Sequence, residues 1–84
     1  MNVEIYYCGM WNYLPQASRL EEELKGNFPN VNVKKEVGRG GTFEVIVDGV
    51  LLFDKLSLPL DFGGGSSFPK ENEITEKIKA LNGV

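Results

Sequence analysis

Within its first two dozen residues the chain changes its hydrophobic period, and that change limits the folds open to it. From Asn2 to Cys8 the side chains alternate, with Val3, Ile5 and Tyr7 on one face and Glu4 and Tyr6 on the other. Period two in a stretch rich in β-branched and aromatic residues predicts a strand. Gly9 breaks the pattern, and from Leu14 the apolar residues Ala17, Leu20 and Leu24 recur at helical spacing. Pro15 suits the first turn of that helix, where its missing N–H is no loss. Asn12 is a candidate N-cap, and Gly26-Asn27 is a stop signal. Glu21-Glu22-Glu23 reads as the solvated side of the helix.

Beyond Phe28-Pro29, Val31, Val33, Lys35 and Val37 alternate with Asn32, Lys34 and Glu36, which predicts a second strand. Gly38-Arg39-Gly40-Gly41 is a turn, and Phe43, Val45 and Val47 make a third strand. Asp48-Gly49 is the strongest hairpin signal in the chain, and it leads into a fourth strand from Val50 to Leu56. Ser57 to Phe68 holds Pro59 and the run Gly63-Gly64-Gly65, which is loop chemistry. The last element, Glu71 to Asn82, sets Ile74, Ile78 and Leu81 on one helical stripe. A strand, a helix and a second strand in succession predict a parallel crossover, and the hairpin then adds antiparallel strands. The expected architecture is an α/β two-layer sandwich, β-α-β-β-β-α, with a four-stranded mixed sheet and two helices. At 84 residues the chain holds one domain, residues 1–84.

Charge and composition then remove several functions. A formal charge of −3 with no basic run argues against nucleic acid, which needs Lys/Arg to neutralise phosphates. No apolar run approaches the roughly 20 residues of a membrane helix, and no basic amphipathic stretch suggests a membrane surface. The amino terminus, with Glu4 and no basic residues ahead of it, does not read as a signal peptide. One cysteine cannot build the internal disulfide framework of a small secreted domain, so the expected compartment is cytoplasmic. The chain has no histidine, which removes the commonest metal ligand and the usual general base; no metal and no hydrolase chemistry are expected. Neither glycine-rich stretch has the phosphate-cradle arrangement GxxxxGK[ST]. Arg39 reads as a solvated turn residue within reach of an anion, and Glu44 and Asp48 read as exposed strand and turn residues.

What remains for chemistry is Cys8, at the point where the first strand ends and the chain turns toward the first helix. Amides in such a turn and at a helix start favour an anion, and so favour the reactive thiolate. Gly9 and Asn12 let the backbone approach a substrate sulfur closely, and Met10 and Trp11 form an apolar rim. The plainer alternative makes Cys8 a small buried hydrophobe that ends a strand.

The stretch Val3-Glu4-Ile5-Tyr6-Tyr7-Cys8-Gly9-Met10-Trp11-Asn12-Tyr13-Leu14-Pro15 resembles the start of the selenoprotein W-like (Rdx) proteins. The resemblance continues through Leu20, Leu24 and Phe28-Pro29, then Gly41-Thr42-Phe43-Glu44-Val45, Asp48-Gly49 and Lys55, and ends at Phe68-Pro69 and Glu73-Ile74. It implies a thioredoxin-like fold with Cys-x-x-Cys or Cys-x-x-selenocysteine after the first strand. Cys8 falls on the first redox position, but the second carries Trp11, which can neither form nor resolve a disulfide. Either Trp11 is genuine and the site degenerate, or the natural residue is selenocysteine, with tryptophan standing at its UGA codon; the intact frame around position 11 favours the latter. With cysteine or selenocysteine there, the resemblance implies a thiol oxidoreductase. Residue 11 attacks peroxide or a disulfide, Cys8 resolves, and glutathione or thioredoxin serves as reductant, with a thiol protein as possible client. With Trp11 the chain is expected to be weak or inactive, and the alternative function is a non-catalytic interaction module. The apolar stretch Leu56-Ser57-Leu58-Pro59-Leu60-Asp61-Phe62 either caps the core or forms a ridge for a partner or a second copy of the chain.

Overall fold

Alternation in the strand segments and helical spacing in the other two produce the expected elements in the expected order. The computed structural model describes residues 1–10, 13–38, 40–55 and 68–82. Its elements are β1 (Asn2–Tyr7), α1 (Leu14–Asn27), β2 (Asn32–Val37), β3 (Phe43–Val47), β4 (Val50–Asp54) and α2 (Glu73–Leu81). The sheet order is β2-β1-β3-β4. β1 runs parallel to β2, with Tyr7 beside Val37, and antiparallel to β3, with Tyr7 beside Phe43. β3 and β4 form the hairpin, and the two-residue turn between them has positive φ at both Asp48 (48°) and Gly49 (85°), the geometry that suits the twist of paired strands.

One face of the sheet turns Val3, Ile5, Phe43, Val45, Val47 and Phe53 toward the helices, where Ala17, Leu20 and Leu24 of α1 and Ile74 and Ile78 of α2 complete the core. The opposite face carries Glu4, Tyr6, Glu44 and Ile46, all half-buried. There Glu4 accepts the Tyr6 hydroxyl at 2.5 Å. That bond, followed by desolvation and by the charges of Glu4, Glu36 and Glu44, holds the Tyr6 phenol above its ordinary pKa.

Several boundaries and roles differ from the sequence expectation. The first strand ends at Tyr7 rather than Cys8, although the Cys8 amide continues the pairing by donating to the Thr42 carbonyl at 3.0 Å. β4 ends at Asp54, while Leu56, where the strand was expected to end, lies outside the described residues, as does the rest of Leu56–Phe62. α2 begins at Glu73 rather than Glu71, because Asn72 takes a left-handed conformation (φ 66°) that no helix interior accommodates. Asn12 also lies outside the described residues, and Tyr13 occupies the N-cap of α1 with no side-chain cap.

The Glu21–Glu23 run is not simply solvated. Glu21 pairs with Lys35 of β2 (2.9 Å) and with Lys25 one turn on (3.0 Å). Glu23 reaches across to α2, accepting the Asn72 amide at 3.0 Å and the buried Thr75 hydroxyl at 2.6 Å. A sequence pattern shows which residues face away from their own sheet, not which neighbouring helix those residues meet. Asp48, expected to be an exposed turn residue, is exposed but also tied to β1, because its carboxylate accepts the Asn2 amide at 2.8 Å.

Two outcomes test this packing. Leu24, fully enclosed at the helix–sheet interface, should cost about 2–5 kcal/mol when truncated to alanine, read by urea unfolding. Hydrogen bonds from Lys35 and then Lys25 hold the Glu21 carboxyl below its ordinary 4.5. The stability it contributes is therefore present above that value and is lost as pH falls through the lower folded-state pKa. Glu21→Gln should flatten the acid limb of a stability-versus-pH curve while leaving the neutral region with only a small loss.

Candidate functional site: the turn that follows β1

Because β1 is an inner strand, the residue that ends it emerges between two neighbours and is easily enclosed. Cys8 is 1% exposed. Its amide is held by Thr42 of the β3 side, and its carbonyl accepts the Tyr13 amide at 3.3 Å, closing the turn between strand and helix. The Tyr13 carbonyl in turn accepts the Gln16 and Ala17 amides and so starts α1. Gly9 and Met10 lead outward from the thiol; Met10 is 87% exposed. The predicted second redox position, Trp11, lies outside the described residues.

The neighbouring connection explains the first glycine-rich stretch. Gly38 donates to the Tyr7 carbonyl at 2.7 Å, and a Cβ placed on it would stand 2.6 Å from Thr42 Cγ2 and 3.2 Å from Tyr6 Cβ. Gly41, at φ 77°, is buried beside Thr42. These glycines let the β2–β3 connection pack against the end of β1. Arg39 and the second glycine run, 63–65, lie outside the described residues.

The structure also gathers residues whose chemistry sequence reasoning did not single out. Lys55, just past β4, is 5% exposed. Its Nζ stands 5.4 Å from the Phe68 ring centre and 5.9 Å from that of Tyr13. Phe68 meets Tyr13 edge to face at 4.7 Å and Phe43 at 5.2 Å. An ammonium at this distance from aromatic faces gains about 0.5–2 kcal/mol, more when desolvated. A signal was available, since alternation from Phe53 puts Lys55 on the core side. The same parity put Lys35 with the inward valines, and its Nζ reaches Ser18 at 3.2 Å. The Phe68–Pro69 bond is trans.

A cleft among the described residues lies elsewhere. About 670 Å³ in volume, it runs beside α1, with Leu20 and Phe43 as its floor and Arg19 and Lys70 among its walls. Cys8 is not among the described residues that line it. Among the described residues there is no group of three His, Cys, Asp or Glu side chains able to hold a metal. None of the described helices is long and apolar enough to cross a membrane.

A β-α-β-β-β-α sandwich with a four-stranded mixed sheet and two helices is a thioredoxin-like fold. The chain belongs to the Rdx family, whose model matches residues 2–80. It is 29% identical over 84 residues to Migration and invasion enhancer 1 of Mus musculus, covering 99% of this chain and 67% of that protein, and equally similar to the Bos taurus protein of the same name. A selenoprotein W-related protein from Vibrio cholerae shares the fold with a TM-score of 0.79 and 26% identity, covering 95% of this chain and 94% of that one. A protein from Bordetella parapertussis does so with a TM-score of 0.80 and 22% identity, covering 95% of each chain.

Packing around the turn sets a clear expectation for Gly38. Gly38→Ala should destabilise the protein by about 1–3 kcal/mol, because buried Thr42 and the β1 backbone leave a methyl group no room. Chemical denaturation measures that loss, and Gly40→Ala, where nothing lies within 4 Å, is the control.

Proposed function

We propose that this chain is a thiol-dependent redox protein in which Cys8 and position 11 form the redox pair. The observation that carries the reading is the place of Cys8, at the end of the inner strand and tied by Tyr13 to the start of α1, in a chain of the Rdx family. Burial of Cys8 suits a resolving thiol better than an attacking one. Residue 11, as selenocysteine or cysteine, attacks a peroxide or a disulfide. It becomes a selenenic or sulfenic acid, with loss of water or alcohol, or a mixed disulfide, with loss of a thiolate. The Cys8 thiolate then displaces that group and closes an 8–11 bond. Two electrons from glutathione or a thioredoxin-type dithiol reopen it. Trp11, on this reading, stands where selenocysteine is encoded, and a single-cysteine chain of this kind suits a reducing compartment. As written, the chain has no second thiol, so Cys8 exchanges only with an outside partner.

A second reading has its own support. A buried cysteine followed by tryptophan at position 11 also describes a non-catalytic interaction module that keeps the fold without the chemistry. Apolar Leu56–Phe62 would supply its ridge for a client or a second copy.

Trp11→Cys separates the two. Under mild oxidant the variant should lose both free thiols as one intramolecular disulfide, recover them with dithiothreitol, and gain turnover with glutathione against peroxide. Two thiols that stay free under the same oxidant would favour the interaction module. A UGG codon for residue 11 in the source gene would sink the selenocysteine assignment alone.

A further inference from the structure

The chain carries one cysteine and two methionines, and the fold treats their sulfur atoms differently. Cys8 is 1% exposed, and Met1 is partly buried against the core. Met10 is 87% exposed. The turn around it sets that exposure. The Cys8 amide is fixed to the Thr42 carbonyl, and the Cys8 carbonyl accepts the Tyr13 amide, so the segment between Cys8 and Tyr13 is anchored at both ends. Gly9 lies against the end of β2, where a Cβ would stand 3.2 Å from Val37 Cγ1. With the backbone pressed to the sheet at Gly9, the next side chain is carried outward. Methionine commonly serves to fill gaps in a core, and its sulfur is then shielded. At its exposure Met10 fills none, and its thioether stands open to small oxidants in water.

We propose that Met10 is a reversible oxidation site, taking an oxygen atom from hydrogen peroxide or an organic hydroperoxide. The thioether sulfur attacks a peroxide oxygen, the O–O bond breaks, and a sulfoxide forms as water or an alcohol leaves. Sulfur gives up two electrons and the peroxide takes them. Methionine sulfoxide reductases reverse the step, drawing two electrons from a dithiol and releasing the oxygen as water. A reversible site needs sulfur open to the oxidant, a fold that tolerates the polar product, and access for the reductase. The side chain of Met10 meets these needs because it lies outside the core, whereas a sulfoxide on Met1 would set a polar group against the core. Oxidation would exchange an apolar side chain for a polar one two residues from Cys8. The inference goes beyond the redox reading of Cys8 and position 11, and its chemistry uses neither residue.

Dilute hydrogen peroxide on the folded chain, with fragmentation mass spectrometry to place each added oxygen, tests the site. Met10 should convert about threefold faster than Met1 or more, and the two should convert alike in concentrated urea, where exposure no longer differs. Protein oxidised at Met10 alone should keep the urea midpoint of the parent. The two methionine sulfoxide reductases, one for each sulfoxide epimer, should remove its oxygen in the presence of dithiothreitol. Equal rates at Met10 and Met1 in the folded chain overturn the inference. So does a Met10 sulfoxide that the reductases leave in place while they reduce a short peptide of the same sequence, or one that lowers the urea midpoint. Failure of Trp11→Cys to form its disulfide would remove the redox reading and leave the rates at Met10 standing.

Discussion

The strand Asn2–Tyr7 pairs along both edges, parallel with β2 and antiparallel with β3, so its backbone groups are satisfied without water. Its inward side chains Val3 and Ile5 can then be completely enclosed. Everything near the candidate site follows from that double pairing. The residue leaving an inner strand is flanked on both sides, here by the β2–β3 connection at Gly38 and by Thr42 at the entry to β3. A thiol at that point is sheltered by construction.

The helical layer is joined to itself as well as to the sheet. Glu23 uses both carboxylate oxygens on the start of α2, one for the Asn72 amide and one for the Thr75 hydroxyl. Lys77 of α2 returns to the sheet, donating to the Leu52 carbonyl at 3.2 Å and lying over the Phe53 ring. At the other edge, Lys35 of β2 is drawn to Glu21 of α1. Both outer strands are thus tied to the helix nearest them. Charged Lys34, Lys35 and Glu36 also make β2 a poor template for pairing with another chain.

Across β3 from the turn, aromatic rings from three parts of the chain pack together. Tyr13, Phe43 and Phe68 make an aromatic wall in which Lys55 is set, one strand beyond the pairing that holds Cys8. Such a wall excludes water, which raises the influence of any charge inside it.

The sequence by itself determined the elements, their order and the inward faces. Periods of two and 3.6 are local properties of the chain, and Val3, Ile5, Leu20, Leu24, Ile74 and Ile78 could follow no other plan. It also placed Cys8 at a strand-to-helix turn, and the frame around it pointed to the family. Tertiary structure decided the rest. Glu23 read as solvent-facing because nothing local tells a helix that a second helix, 49 residues further on, will present an amide to it. Lys55 read as one more residue of the expected Val50–Leu56 strand, because its aromatic neighbours Tyr13 and Phe68 are distant in sequence and meet it only once β4, α1 and the segment before α2 converge. Whether Cys8 lies open or enclosed was likewise undecided until β1 took the inner place in the sheet. Burial is a property of what surrounds a residue, and only the assembled sheet and helices specify that.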